Sequence, residues 1–278
     1  MSSKKDQSST LKTLEGLKQK SIKTLRAKAN QFKRVITRPY YTEKLISACY
    51  VNAYKSVQVR EAVENGADIN VIHPENNQSL LMLATRREDL DMMKFSLEHG
   101  AKIDLKNSDG RTALMYAMAK KPEIATWLIE NGADINAQTY DGRYVLDWAA
   151  LFGRDDQVKR LLDRKAKFSD YAILSSVING HTRSVKLLLN AGANVHAENS
   201  RGKKILVIAA KGGFVSMMDE LLKYEHDTQT IYQALQMAMK YGYSQTITIL
   251  KKALKREQDK PQAELMNITQ LKKGRSSR

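Results

Sequence analysis

Cysteine is nearly absent from this sequence: among 278 residues only Cys49 carries a thiol, which excludes any disulfide within the chain. A lone thiol fits a reducing, intracellular setting, and Cys49, beside Ala48 on an apolar helix face, reads as core. Long apolar runs are missing too. No stretch of eighteen apolar residues occurs, so nothing is expected to span a membrane. The histidines are His73, His99, His181, His196 and His226. No two of them stand at i, i+4, and with one cysteine this excludes zinc-type spacing. His181 follows Gly180 in a turn between helices and reads as a structural hydrogen-bonding residue. There is no Gly-x-Ser-x-Gly, no Gly-x-Gly-x-x-Gly and no kinase set. Gly202-Lys203-Lys204 lacks the upstream glycine and following hydroxyl residue of a phosphate loop. Asp155-Asp156 precede a helix, where carboxylates stabilise the helix N-terminus, and do not read as an acid/base pair. The sequence therefore predicts no catalytic residue, metal site, cofactor or small-molecule substrate.

What the chain does have is a repeat. Asn65-Gly66-Ala67-Asp68-Ile69-Asn70 returns unchanged as Asn131-Gly132-Ala133-Asp134-Ile135-Asn136. Variants stand at His99 to Asp104 and Ala191 to His196, and Arg164-Lys165-Ala166-Lys167-Phe168 has lost the glycine. The glycine slots 66, 100, 132 and 165 are 34, 32 and 33 residues apart, the mark of a stacked array. Ahead of each slot, sets such as Val158-Leu161-Leu162 and Val185-Leu188-Leu189 lie at i, i+3, i+4, one face of a helix. The glycine suits a helix end that turns left-handed. Further upstream, Leu81 to Ala84, Leu114 to Ala117, Leu146 to Ala149 and Leu206 to Ala209 mark another helix with a constant leucine-to-alanine spacing. Asp109-Gly110, Asp141-Gly142 and Arg201-Gly202 supply tight turns between repeats.

At these residues the chain resembles the ankyrin-repeat family. The best match to the family pattern is Asp109-Gly110-Arg111-Thr112-Ala113-Leu114 with Asn131 to Ala137. The family's Pro and His slots hold other residues here, Val145 and Asp147 among them, which points to softer repeats of the same fold. The fold class implied is all-α with short β-hairpin turns: an ankyrin α-solenoid of about seven repeats over 39–257. Glu225 and Ala253 take the glycine slot in the last two. The steps from 165 to 192 and from 225 to 253 are only 27 and 28, so repeats five and seven should lack the protruding hairpin. The gap at repeat five would notch the row of fingers and bound or admit a partner.

Charge is uneven. Residues 1–38 hold eleven Lys/Arg against Asp6 and Glu15, a net +9, and residues 251–278 a net +6. The remainder of the +16 total leaves the repeats near neutral at +1. Residues 11–36 read as a basic amphipathic helix, with Leu11, Leu14, Ile22, Leu25, Ala29, Phe32 and Ile36 on one face. Lys20, Lys23, Arg26, Lys28, Lys33 and Arg34 are its candidates for binding an anionic membrane or acidic surface. Capping the first repeat and targeting are two other roles open to it. Arg38-Pro39 should end this helix. The tail 258–278 reads as disordered and basic, and its Lys272-Lys273-Gly274-Arg275 cluster also fits a nuclear import signal. Nucleic acid is disfavoured as a partner, because the repeats lack an aromatic-basic reading motif.

The resemblance implies a partner held on the concave side, by hairpin tips and first helices. Carried over by register, the candidates are Arg86, Arg111, Tyr116, Tyr140, Arg143, Trp148, Arg201, Lys203 and Lys211. Gln78 and Ser108 stand at further tips. The mix of arginine and aromatic residues suits an interface, and the cations favour an acidic or extended segment. Trp148 also fits packing between neighbouring repeats. The function implied is a non-enzymatic protein-binding scaffold. Degenerate, lysine-rich repeats with basic ends also resemble ankyrin proteins of intracellular bacteria that are delivered into host cells, with residues 265–278 as the export segment.

Overall fold

The computed structural model describes residues 38–49 and 56–259. The basic helix expected over 11–36, its six candidate cations and the tail from 260 on lie outside the described residues. Contacts divide the chain into two compact units, Met1–Ser108 and Asp109–Arg278.

The first unit holds α1 (38–48), α2 (Ser56–Glu64), α3 (Leu80–Arg87) and α4 (Leu90–Glu98). Arg38 and Pro39 both belong to α1, where Thr42 Oγ1 donates to the Arg38 carbonyl at 2.7 Å. A proline is accommodated in a helix wherever its missing N–H needs no acceptor. Arg38 also pairs with Asp68 at 2.6 Å. Cys49 lies just past α1 and is buried. Burial pushes its thiol up to about 12, with the Arg87 charge pulling the other way.

The second unit pairs α5 (Ala113–Ala117) with α6 (Pro122–Glu130), α7 (Val145–Leu151) with α8 (Asp155–Asp163) and α9 (Asp170–Ile178) with α10 (Thr182–Asn190). It continues with α11 (Ile205–Gly212), α12 (Val215–Leu221), α13 (Thr228–Tyr241) and α14 (Ser244–Gln258). The first helices stack in one layer, α5 on α7, α7 on α9, α9 on α11 and α11 on α13. The second helices stack in another, α8 on α10, α10 on α12 and α12 on α14. Between the layers Leu114, Leu128, Leu146, Leu161, Ile173, Leu188, Leu206 and Leu221 are buried. Ala117, Ala149 and Ala209 are buried as well, and their single methyl lets helices approach closely.

One helix end is built the same way at the first five slots. The N–H of Ala67, Ala101, Ala133, Ala166 and Ala193 donates to the carbonyl five residues back, closing a Schellman turn. That turn needs a left-handed residue just before the alanine. Gly132 supplies it at φ +92°, and Lys165 is forced into it at φ +58°. Past the turn, the asparagine of Asp-Ile-Asn reaches the following repeat: Asn70 Oδ1 accepts from Lys102 N at 2.7 Å, and Asn136 Oδ1 from Lys167 N at 2.8 Å.

The spacing allows fingers in repeats two, three, four and six, and among the described residues a bridged hairpin forms in four and six. Antiparallel bridges join Gln138 to Tyr144 and Glu198 to Lys204, fingers four and six. Repeat five passes straight from Lys167-Phe168-Ser169 into α9, and repeat seven from His226-Asp227 into α13. Ala253, expected at a turn, lies inside α14 instead, since Ala-Leu-Lys-Arg favours continued helix. Among the described residues no helix is long and apolar enough to cross a membrane.

Candidate protein-binding surface

The finger and first-helix face of the second unit gathers most of the expected residues into two clefts. The first is lined by Asp109, Arg111, Thr139, Tyr140, Asp141 and Trp148, and has a volume of about 250 Å³. Finger three leans directly on finger four. Tyr140 N donates to the Asp109 carbonyl at 3.3 Å, and a Cβ on Gly110 would stand 2.6 Å from that same nitrogen. Only glycine permits this approach, and its φ of +79° also suits only glycine. Finger four is held from within: Thr139 Oγ1 donates to Asp141, and Thr139 N to the Arg143 carbonyl at 2.9 Å. The Thr139 hydrogen bond, opposed by slight burial and helped by the Arg143 charge, holds the Asp141 carboxyl below its ordinary range.

Across this cleft runs a ladder of guanidinium and aromatic planes. The Arg111 guanidinium lies 4.7 Å from the Trp148 ring, Arg143 lies 5.9 Å from Trp148 and 4.1 Å from Tyr171. Such stacking desolvates the flat faces while leaving the N–H edges directed outward. Asp109 and Asp141 sit 3.9 Å and 3.2 Å from the two arginines, so the cluster is close to neutral. Tyr140 stands at the tip, 71% exposed.

Trp148 is not an open contact residue. It is 9% exposed, covered by the arginines and by Phe152 stacked at 6.3 Å, so the packing alternative holds for its ring. Its indole N–H is buried without an acceptor among the described residues. Phe152 itself is exposed, and Tyr116 on α5 is half-buried. Gln78, expected at a tip, is buried, because the turn 73–78 closes over it when His73 N donates to its carbonyl. Arg86 is exposed in the last turn of α3, in the first compact unit.

Arg201, Lys203 and Lys211 meet in the second cleft, of about 280 Å³, over α11. Sequence reasoning finds these cations and, on the same first helix, Ile208, but misses the remainder of the apolar floor beneath them, Ile178, Val207, Phe214 and Met237. It also missed Tyr171, whose only signal was its place two residues past Ser169 in a repeat with no finger.

Asp147 holds the site from below. It occupies the family's histidine slot and is wholly buried. Its carboxylate accepts from Tyr144 N at 2.9 Å, Ser169 N at 2.9 Å and Ser169 Oγ at 2.7 Å. Burial pushes its carboxyl up, and the Ser169 and Tyr144 bonds pull it partly back. The softening expected from the lost histidine is thus offset at this repeat by a carboxylate tying α7 to the start of α9. His181 has the structural role expected of it, its ring Nε2 lying 3.3 Å from the Leu151 carbonyl. Among the described residues no cluster of His, Cys, Asp and Glu could hold a metal.

Paired helices in two layers, turned by left-handed caps and fringed with hairpins, define a repeat protein of the interaction-module class. The ankyrin-repeat family model matches residues 45–139 and 171–261, well over half of the chain, and the chain belongs to that family. It is similar to an ankyrin repeat protein of Rickettsia bellii, 29% identical over 46% of this chain and 78% of that one. The human SH3 and multiple ankyrin repeat domains protein 2 is 28% identical over 55% of this chain, which spans only 9% of that protein's length. Among solved structures, the human ASB11 ankyrin repeat domain superposes with a TM-score of 0.56 at 24% identity, covering 63% of this chain and 84% of that one.

Proposed function

We propose that the chain is a non-enzymatic scaffold that holds a protein partner, through an acidic or extended segment, on the finger and first-helix face of 109–258. Ankyrin repeats are protein-protein interaction modules, and the ladder Arg111–Trp148–Arg143–Tyr171 carries the assignment to this face. Arginine and aromatic side chains dominate interface energetics when already ordered, since little side-chain entropy is then lost on binding. An affinity capture with the full chain beside Arg111→Glu/Arg143→Glu tests this. Loss of the captured partner is expected, and equal capture by both sinks the assignment.

In this reading residues 39–257 form the array, a basic helix precedes it and a basic tail follows, the whole acting inside a cell. The net +9 of residues 1–38 supports a second contact, with an anionic membrane. Co-sedimentation of the full chain with anionic vesicles at low and high salt tests that contact. Action as a bacterial effector in a host cell is a finer form of this reading, resting on the degenerate, lysine-rich repeats and basic ends. Delivery that survives deletion of 259–278 would remove the tail as its signal.

A further inference from the structure

The second cleft is more specific than a general docking face. Three things coincide there. First, finger six, Asn199 to Lys203, has no hairpin beside it, because repeats five and seven enter α9 and α13 directly. The end of α9 is therefore uncovered, and Ile178 is 54% exposed. Second, the floor is apolar: Ile178, Val207, Ile208, Phe214 and Met237 line about 280 Å³. Third, the rim is cationic. Among the described residues Arg201, Lys203 and Lys211 have no carboxylate in ion-pair range, whereas Arg143, Lys204 and Lys186 are paired with Asp141, Asp227 and Glu220.

Three like charges around one cleft repel one another, and each apolar side chain left wet forgoes the free energy of burial. An occupant that relieves both must bring carboxylates and a bulky apolar side chain together. A polyphosphate backbone or a purely acidic stretch would satisfy the rim and leave the floor exposed.

We propose that this cleft docks an acidic linear protein segment by one bulky apolar side chain, seated on Ile178 and Met237 and flanked by carboxylates that pair with Arg201, Lys203 and Lys211. The proposal rests on the scaffold reading above and names the chemistry of the segment it takes.

The probe is a short labelled peptide with glutamates on both sides of one central phenylalanine, titrated against the full chain by fluorescence anisotropy. Saturable binding is expected. Replacing the peptide's phenylalanine by alanine should weaken it about tenfold, the worth of burying one large side chain. Ile178→Asp and Lys203→Glu/Lys211→Glu should each weaken it by about the same factor. All of these positions are exposed, and an unchanged circular dichroism melt confirms folding. Equal binding of the alanine peptide, or indifference to Ile178→Asp, overturns the proposal, as does binding of anionic vesicles in place of the peptide. The same variants, used in the affinity capture, separate the two readings. A partner lost by Arg111→Glu/Arg143→Glu but kept by the cleft variants leaves the scaffold standing and the cleft proposal refuted. A partner lost only by the cleft variants supports the cleft and refutes the ladder. A partner kept by both sets refutes both.

Discussion

A buried aspartate, an exposed one and a buried thiol show how residue type and environment divide the work. Asp147 and Asp227 are the same residue in similar places, one at the third position of a helix and one at its cap. Their pKa values move in opposite directions. Burial dominates at Asp147 and raises it, while at Asp227 a modest burial penalty is overcome by hydrogen bonds from Lys204 and Thr230, which hold it well below the usual range. The consequences for stability differ in sign. The folded state binds the Asp147 proton more tightly than the unfolded chain does. The stability this adds is full below the ordinary aspartate range and is lost as pH rises through the raised value. For Asp227 the added stability is present above the ordinary range and is lost as pH falls through the depressed value. Asp147→Ala strands the Ser169 and Tyr144 donors and should cost roughly 1–3 kcal/mol in urea titrations at neutral pH. It should also remove the acid-side gain from the pH profile of the melting temperature. Cys49, with its thiol pushed up to about 12, should react with a thiol reagent at neutral pH about a hundredfold or more slowly in the folded protein than in denaturant. Comparable rates in the two states would show that this site opens readily.

Elements in this chain are set mainly by how they end. The Schellman turn recurs at the first five slots, yet its left-handed residue is glycine at four and lysine at one. Lys165→Gly should therefore stabilise the protein by about 1 kcal/mol, read as a higher melting temperature. Glycines are not equivalent either. A Cβ on Gly132 meets nothing within 4 Å, while one on Gly110 meets the Tyr140 backbone at 2.6 Å. Gly132→Ala should then carry only the strain of its positive φ, roughly 1 kcal/mol, and Gly110→Ala distinctly more, with finger four displaced. Similar melting temperatures for the two variants would mean that the fingers do not lean on each other. The element pattern was legible because each of the first five slots is a local device: glycine or a substitute, then alanine, then Asp-Ile-Asn or a variant of it. The run through Ala253 departs from the expectation because a slot by count is not a turn by chemistry.

At the scale of the whole chain, the net charge of +16 lies mostly in residues 1–38 and 251–278. Capture of an acidic partner should weaken as salt rises, and more steeply for the wild type than for Lys203→Glu/Lys211→Glu, because screening acts on the charges that remain. Equal salt slopes would place the attraction elsewhere than the cleft rim. The repeat period, the helix pairs, the missing fingers of repeats five and seven and the candidate cations all follow from the amino-acid sequence alone, because a repeat is a local pattern copied along the chain. Which of those cations are already paired, and with what, does not. Arg111 and Arg143 stand beside aspartates and over Trp148 only once fingers three and four stack, while Arg201, Lys203 and Lys211 come to ring an apolar floor drawn from α9, α11 and α13. Those neighbours lie up to some sixty residues apart in the chain, from Ile178 to Met237, and only the stacking of one first helix on the next within their layer brings them to the same cleft.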